Sequence, residues 1–342
     1  MTETNTKTVL ITGASSGFGR ATAHALAAAG HTLFAGARDL AGRNRVVADE
    51  LRAKGIEPVE LDVTSDASVA AAIATVLARS GGRLDVVVNN AGVASAGVSE
   101  SFTPEQVRAL FEVNVFGVQR VLRATLPTLR KQGDGLVVNV GSILGRITFP
   151  FFGLYGASKY ALEALSDSYR YELSQLGVDV VLVQPSAYPT NMYAAAQQPA
   201  DAQRGVAYGE IGAIPGKMFE SFMAMFAAAD APNPEDVAEA VATLVAMPRA
   251  DAQTASWSGS RSGPTPSTPP SLPFSARSSI ASGSSGWPPS GADLWHTVAT
   301  RSRMPVGTSP PYRRSKRSAS SMSRSSVAMS PPWSSCLTTP SR

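Results

Sequence analysis

Tyr155 and Lys159 stand four residues apart in Tyr155-Gly156-Ala157-Ser158-Lys159. On a helix that spacing puts both side chains on one face. A free tyrosine titrates near pH 10. A neighbouring ammonium favours the phenolate and lowers that value, so such a tyrosine is expected to exchange a proton with a carbonyl or an alcohol at neutral pH. A lone Tyr-x-x-x-Lys pair is also an ordinary helix surface. It gains meaning from Ser142, placed just past a strand-like run, and from Asn89-Asn90-Ala91-Gly92, placed just past another. Asn114 lies between apolar neighbours in Val113-Asn114-Val115-Phe116-Gly117 and needs hydrogen-bond partners if it is buried, for which local backbone would suffice.

A second constellation lies near the start. Val9-Leu10-Ile11 runs into Thr12-Gly13-Ala14-Ser15-Ser16-Gly17-Phe18-Gly19, and an Ala-rich stretch follows. Glycines permit a tight turn and close backbone approach, and a helix N-terminus offers free N–H groups to a pyrophosphate. The spacing G-x-x-x-G-x-G predicts nucleotide binding there. The next strand candidate ends Ala35-Gly36-Ala37-Arg38. A carboxylate at that end would accept from a ribose 2′-OH, as NAD(H) requires. Arg38 instead suits a 2′-phosphate, so NADP(H) is expected, with NAD(H) still open. Asp39 follows and could turn back toward the ribose; Arg38 itself could be a solvated loop residue.

These residues need a sheet to position them. Short β-branched runs fall at Thr8–Thr12, Thr32–Ala37, Glu57–Leu61, Leu84–Val88, Gly135–Val140 and Val178–Gln184. Helical patterns alternate with them at Gly17–Ala29, Val46–Lys54, Asp66–Arg79, Pro104–Arg130, Gly153–Leu176 and Pro234–Ala246. Pro127 predicts a kink or an early end in the fourth helix. The alternation predicts an α/β fold, a doubly wound, Rossmann-like parallel sheet with helices on both faces. Its binding edge is at the carboxyl ends of the strands.

The chain has 342 residues, 44% of them hydrophobic and 16% charged, as a globular protein does. Its net charge of +4 is unevenly spread. Residues 257–342 hold ten Lys plus Arg and one acidic residue, Asp293; the remainder holds 20 basic and 25 acidic residues. The four tryptophans and 13 of the 24 prolines also lie in that segment. We read residues 1–250 as a dinucleotide-binding domain. Residues 251–342 read as a Ser/Pro/Arg-rich tail, disordered by composition. Out-of-frame translation of a GC-rich coding sequence is the preferred source of such a tail. A solvated extension, or a nucleic-acid-binding appendage around Arg313-Arg314-Ser315-Lys316-Arg317, is the lesser reading. A single cysteine, Cys336, speaks against a disulfide framework or a Cys-rich zinc site, and no metal site is expected. No apolar run reaches membrane-spanning length, and the N-terminus lacks a secretory pattern, so a cytoplasmic setting is expected.

Together these motifs resemble the short-chain dehydrogenase/reductase family over about Lys7 to Ala250. The branch they resemble is the one similar to hydroxysteroid and retinol dehydrogenases. That finer likeness rests on Leu110 to Gly117 and on Tyr155 to Ser166. The resemblance implies hydride transfer between a nicotinamide and a carbonyl or secondary alcohol. It implies that Tyr155 donates or accepts the proton, that Lys159 binds the nicotinamide ribose and tunes the tyrosine, that Ser142 bonds the substrate oxygen, and that Asn114 holds a relay water. It implies that Asp62 and Val63 meet the adenine and that Asn90, Ala91 and Gly92 line the cofactor channel. Pro185 to Thr190 would close over the carboxamide, and a homo-oligomer would form if the C-terminal sheet edge is intact.

Two departures stand out. Pro185-Ser186 replaces the family's Pro-Gly and costs backbone freedom. The expected seventh strand is not recognisable, which would leave the sixth as an open edge. Residues 191–231 are expected to form a lid. Met192, Tyr193, Met218, Phe219, Phe222, Met223, Met225 and Phe226 supply its apolar surface, either as an ordinary packed face or as a substrate wall. Phe149, Phe151 and Phe152 are better placed to touch a substrate. No basic cluster accompanies the site, so the substrate is expected to be apolar and uncharged. A non-catalytic dinucleotide-binding regulator on the same fold is the alternative.

Overall fold

The computed structural model describes residues 6–247, Ala255–Ser258 and Thr265–Pro266. The chain divides into two units, Met1–Gly286 and Trp287–Arg342, and all described residues belong to the first. The sheet order is β3-β2-β1-β4-β5-β6-β7-β8. The strands are β1 (Thr8–Thr12), β2 (Thr32–Ala37), β3 (Glu57–Glu60), β4 (Val86–Asn89), β5 (Gly135–Val140), β6 (Val178–Gln184), β7 (Ala255–Ser258) and β8 (Thr265–Pro266). Neighbours from β3 through β7 pair in parallel. β8 pairs antiparallel with β7. The order reverses between β1 and β4, which places a crevice at their carboxyl ends.

Alternation along each strand feeds two cores. Val9 and Ile11 of β1 join Val86, Val88, Val181 and Val183 on one face. That face is covered by α1 (Gly17–Ala28) and α10 (Glu235–Ala246), which supply Ala23, Leu26, Val237, Val241 and Leu244. Leu10 joins Val87, Val137 and Val180 on the other. There α3 (Asp66–Arg79), α5 (Gly117–Gln132) and α6 (Gly153–Leu173) contribute Ile73, Val121, Leu122 and Leu162. α2 (Arg45–Ala53) follows β2. One polar line crosses this apolar interior. Asn89 donates from Nδ2 to Asn139 Oδ1 at 2.9 Å, Asn139 donates to Ser166 Oγ at 2.9 Å, and Ser166 donates to the Leu162 carbonyl at 2.7 Å.

Two expectations need correction. The fourth helix is not one rod bent at Pro127. α4 (Pro104–Phe111) starts at a capping box between Thr103 and Gln106, and a π-turn at Glu112–Phe116 separates it from α5. α5 runs on through Pro127 to Gln132, so the break lies at Asn114 instead. Second, β6 is not left bare: the β7 backbone pairs with it, Val183 opposite Trp257 and Gln184 opposite Ser258. Ser186, in the place where the resemblance has glycine, is not among the positive-φ residues, which outside glycine are Asp39 and Phe151 among the described residues. The rest of the tail reading lies outside the described residues. The lid consists of α7 (Asn191–Ala194), α8 (Ala202–Val206) and α9 (Glu210–Ala227).

Candidate active site

The glycine turn joins β1 to α1. Gly13 has φ +67°, and a Cβ there would stand 2.8 Å from the Ala91 Cα. A Cβ on Gly19 would meet Asn90 Nδ2 at 2.3 Å and the Gly13 carbonyl at 2.5 Å. Both positions therefore need glycine for close approach, not only for bending. Asn90 holds the turn by donating from Nδ2 to the carbonyls of Thr12 and Gly13 at 2.9 and 3.0 Å. Thr12 Oγ1 in turn accepts from the Asn90 and Ala91 amides, each at 3.0 Å. Sequence reasoning passed over Thr12, since a threonine closing a strand is unremarkable. Ser16 caps α1 in extended backbone without a side-chain cap bond, and no acidic residue occupies the first turn. The first-turn amides of α1 therefore have neither a side-chain cap nor an acidic neighbour in that turn, and such a helix end favours an anion.

The loop after β6 closes over this turn. Phe18 and Tyr188 meet edge to face at 5.4 Å. A Cβ on Gly17 would be in ordinary contact with the Thr190 side chain at 3.7 Å. Pro185 accepts from the Ile143 amide at 3.0 Å, which ties that loop to the turn carrying Ser142.

At the end of β2, Arg38 is exposed, and its guanidinium enters no ion pair among the described residues. Its charge helps hold Asp62 below the usual carboxylate range. Burial opposes that shift, and hydrogen bonds from the Thr64 amide and hydroxyl, at 2.9 and 2.8 Å, outweigh it. Asp39, at positive φ, is exposed beside Arg38. Its carboxylate accepts from the Arg43 amide at 3.1 Å, with the Arg43 guanidinium 3.9 Å away. Val63 is buried and packs against Gly117, where a Cβ would stand 2.8 Å from it.

Asn114, Ser142, Tyr155 and Lys159 are all buried at the same edge of the sheet. The π-turn turns Asn114 inward. Its Oδ1 accepts from the Val93 amide at 2.9 Å, and its Nδ2 donates to the Val93 carbonyl at 2.9 Å and to Ser158 Oγ at 3.0 Å. Ser158 also donates to the Tyr155 carbonyl at 2.7 Å. It therefore bolts Asn114 to the first turns of α6, a role no sequence signal announced. A Cβ on Gly92 would lie 3.4 Å from Asn114 Oδ1 and 3.7 Å from Lys159 Nζ, so these two groups border one small space. Lys159 donates to the Val140 carbonyl at 2.9 Å, and its ammonium sits 5.8 Å from the Tyr155 ring centroid.

The expected acidified phenol is not what this arrangement yields. Burial pushes Tyr155 up to about 12, and a hydrogen bond with Ser142 offsets only part of that rise. Burial also brings Lys159 down to about 8. Desolvation wins over the Ser142 hydrogen bond at this site. Near neutral pH the pair is a phenol beside an ammonium, poised to give a proton.

At the start of α6, with Phe152 in its wall, lies a cavity of about 250 Å³. Phe151, Phe152, Tyr193, Met218, Phe219 and Phe222 form much of its wall. Phe149 packs behind Phe152 at 6.1 Å. The lid residues thus divide: Phe222 is buried against the site, while Phe219 and Met223 remain substantially exposed.

A glycine turn leading into α1, with Ser142 just past β5 and Tyr155 and Lys159 on α6 at the same sheet edge, is the arrangement of a nicotinamide-dependent oxidoreductase. The short chain dehydrogenase family model matches residues 7–201. The chain belongs to the short chain dehydrogenase family. It is 36% identical over 182 residues to 3-ketodihydrosphingosine reductase of Bacteroides thetaiotaomicron, covering 53% of this chain and 64% of that protein. A Burkholderia phymatum short chain dehydrogenase/reductase in complex with NAD shares the fold at a TM-score of 0.60 and 27% identity; the match covers 72% of this chain and 88% of that one. An alcohol dehydrogenase from Thermococcus sibiricus complexed with 5-hydroxy-NADP does so at a TM-score of 0.56 and 29% identity, over 72% and 92%. Among the described residues no helix is long and apolar enough to cross a membrane.

Proposed function

We propose that the protein is an NADP(H)-preferring carbonyl reductase or alcohol dehydrogenase acting on an apolar substrate, with residues 1–250 as its catalytic unit. The observation that carries this reading is the burial of Ser142, Tyr155 and Lys159 at one sheet edge, with Lys159 bordering Gly92 of the Asn90–Gly92 segment that packs on the glycine turn. The residues present suit a dinucleotide. The turn at Gly13 and Gly19 leaves no room for side chains, and the α1 amides lack a competing carboxylate. A nicotinamide cofactor, when bound, supplies or takes the hydride. The chain's own residues do the rest. Ser142 orients the carbonyl oxygen, and Tyr155 gives it a proton as negative charge develops there. Lys159 keeps a positive charge beside the phenol and meets the ribose; Asn114 steadies the α6 end of the site. Gly13, Ser15, Ser16, Gly17, Phe18 and Gly19 receive the pyrophosphate, and Asp62 and Val63 meet the adenine. Asn90, Ala91, Gly92, Pro185 and Thr190 enclose the nicotinamide half. A cytoplasmic homo-oligomer belongs to the same proposal.

Arg38 supports the preference for NADP(H), because an unpaired exposed guanidinium gains most from a 2′-phosphate. Arg38→Ser is expected to reduce the ratio of kcat/KM for NADPH over NADH by about tenfold, the worth of one charge-assisted hydrogen bond. An unchanged ratio in a carbonyl panel run with both cofactors would remove Arg38 from the site. Cofactor binding without turnover of any carbonyl would favour the regulatory alternative.

The two shifted groups also set a pH dependence. kcat/KM for the reduced cofactor reports groups of the free enzyme. Lys159 is charged below about 8 and loses its proton above that, whereas Tyr155 stays protonated to about 12. The rate of reduction is therefore expected to be level at lower pH and to fall above pH about 8. A profile that keeps rising past pH 9 would contradict this assignment.

A further inference from the structure

The cavity at the start of α6 carries two side chains able to hydrogen-bond, Tyr193 and Gln198. Tyr193 of α7 lines it, and its hydroxyl makes no hydrogen bond to another described residue. The ring is clamped by two residues of α9, with centroids 5.5 Å from Phe222 and 4.9 Å from Phe226. A ring held on two sides cannot swing away, so its hydroxyl has a fixed place. Resting on the carbonyl-reductase reading above, we propose that Tyr193 is a specificity-determining residue. It selects ketones that carry an apolar chain and a second, uncharged oxygen close to the reacting carbon.

The chemistry follows from what surrounds the hydroxyl. Burial first, and then the nearby Tyr155 phenol, push Tyr193 above the ordinary tyrosine range, which keeps it a hydrogen-bond donor at working pH. Phe152, in the same cavity wall, accepts at its carbonyl from the Gly156 amide at 2.7 Å, which puts this wall at the turn of α6 that carries Tyr155. Tyr155 serves the reacting oxygen, so Tyr193 is left for another acceptor on the cavity side. The lining holds no charged side chain. The remaining polar member, Gln198, gives its Nε2 to the Ala196 carbonyl at 3.5 Å. A carboxylate would enter without a counter-charge and pay its desolvation unaided. An ester, ketone or hydroxyl oxygen would not, and the aromatic wall of Phe151, Phe152 and Phe222 receives the chain.

The test compares ethyl 3-oxohexanoate with nonan-4-one, which matches it in length but lacks the ester oxygens. The 3-oxo ester is intrinsically more electrophilic, so the informative quantity is the change in the ratio of kcat/KM between wild type and variant. Tyr193→Phe keeps the ring and removes the donor. It is expected to lower the ester-to-ketone ratio by about tenfold, the upper range for one net hydrogen bond, through KM for the ester more than through kcat. Tyr193→Met reads the same ratio if Tyr193→Phe melts below the assay temperature. A ratio that both variants leave unchanged, with both ketones still reduced, overturns this inference alone. Equal loss on both compounds also overturns it, since that marks a structural role. Failure of wild type to reduce either compound with NADPH or NADH overturns the carbonyl-reductase reading and this inference together.

Discussion

Tyr155→Phe is expected to cut carbonyl reduction by about 10²–10⁴-fold, the span of a lost general acid, and to leave cofactor affinity nearly unchanged. The hydroxyl is buried and bonded with Ser142, so removing it deletes the proton source without opening a path to the cofactor turn. The ring stays packed at the start of α6, and Ser158 still holds the residue 155 carbonyl. Steady-state rates and cofactor fluorescence quenching check both halves. A variant with normal turnover would show that another group supplies the proton.

The second large effect is expected at Gly19. An alanine there places its methyl 2.3 Å from Asn90 Nδ2 and 2.5 Å from the Gly13 carbonyl. The amide is tied to two backbone carbonyls and the other contact is itself backbone, so neither yields cheaply. Gly19→Ala is expected to destabilise the fold by about 1–3 kcal/mol, as overpacking does. Cofactor affinity should fall by at least tenfold, because the displaced Gly13 carbonyl and Asn90 are part of the cradle. Thermal melting and a cofactor titration measure these together; wild-type affinity in a stable variant would mean that the turn is not the binding surface.

Much of this was legible in sequence, for reasons that also explain the misses. β1, β5 and β6 coincide with their β-branched runs, because strands buried on both faces need such residues throughout. The glycine turn and the Tyr155–Lys159 pair were visible because close approach and helical spacing leave signatures in residue type. The π-turn at Asn114 was not. It is set by bonds from Asn114 to Val93 and Ser158, distant in sequence, while Pro127 offered a louder but irrelevant signal. Gly212, Pro215 and Gly216 obscured α9, which nonetheless packs Phe222 onto Tyr193. β7 has no β-branched residue, and pairing with the β6 and β8 backbones gives it a place. The phenol's rise rather than fall was hidden because spacing reveals neighbours and says nothing of water.

The asparagine line through the sheet bears on how the site is assembled. β4 reads Val-Val-Val-Asn against Leu-Val-Val-Asn in β5, and the valines alone would pair about as well after a two-residue slip. Asn89 and Asn139 stand opposite each other in the observed alignment. Sliding one strand would strand both carboxamides in hydrocarbon, at about 1–3 kcal/mol for each unsatisfied group. The pair thus acts as a vernier, aligning the strand that delivers Asn90 with the strand that delivers Ser142.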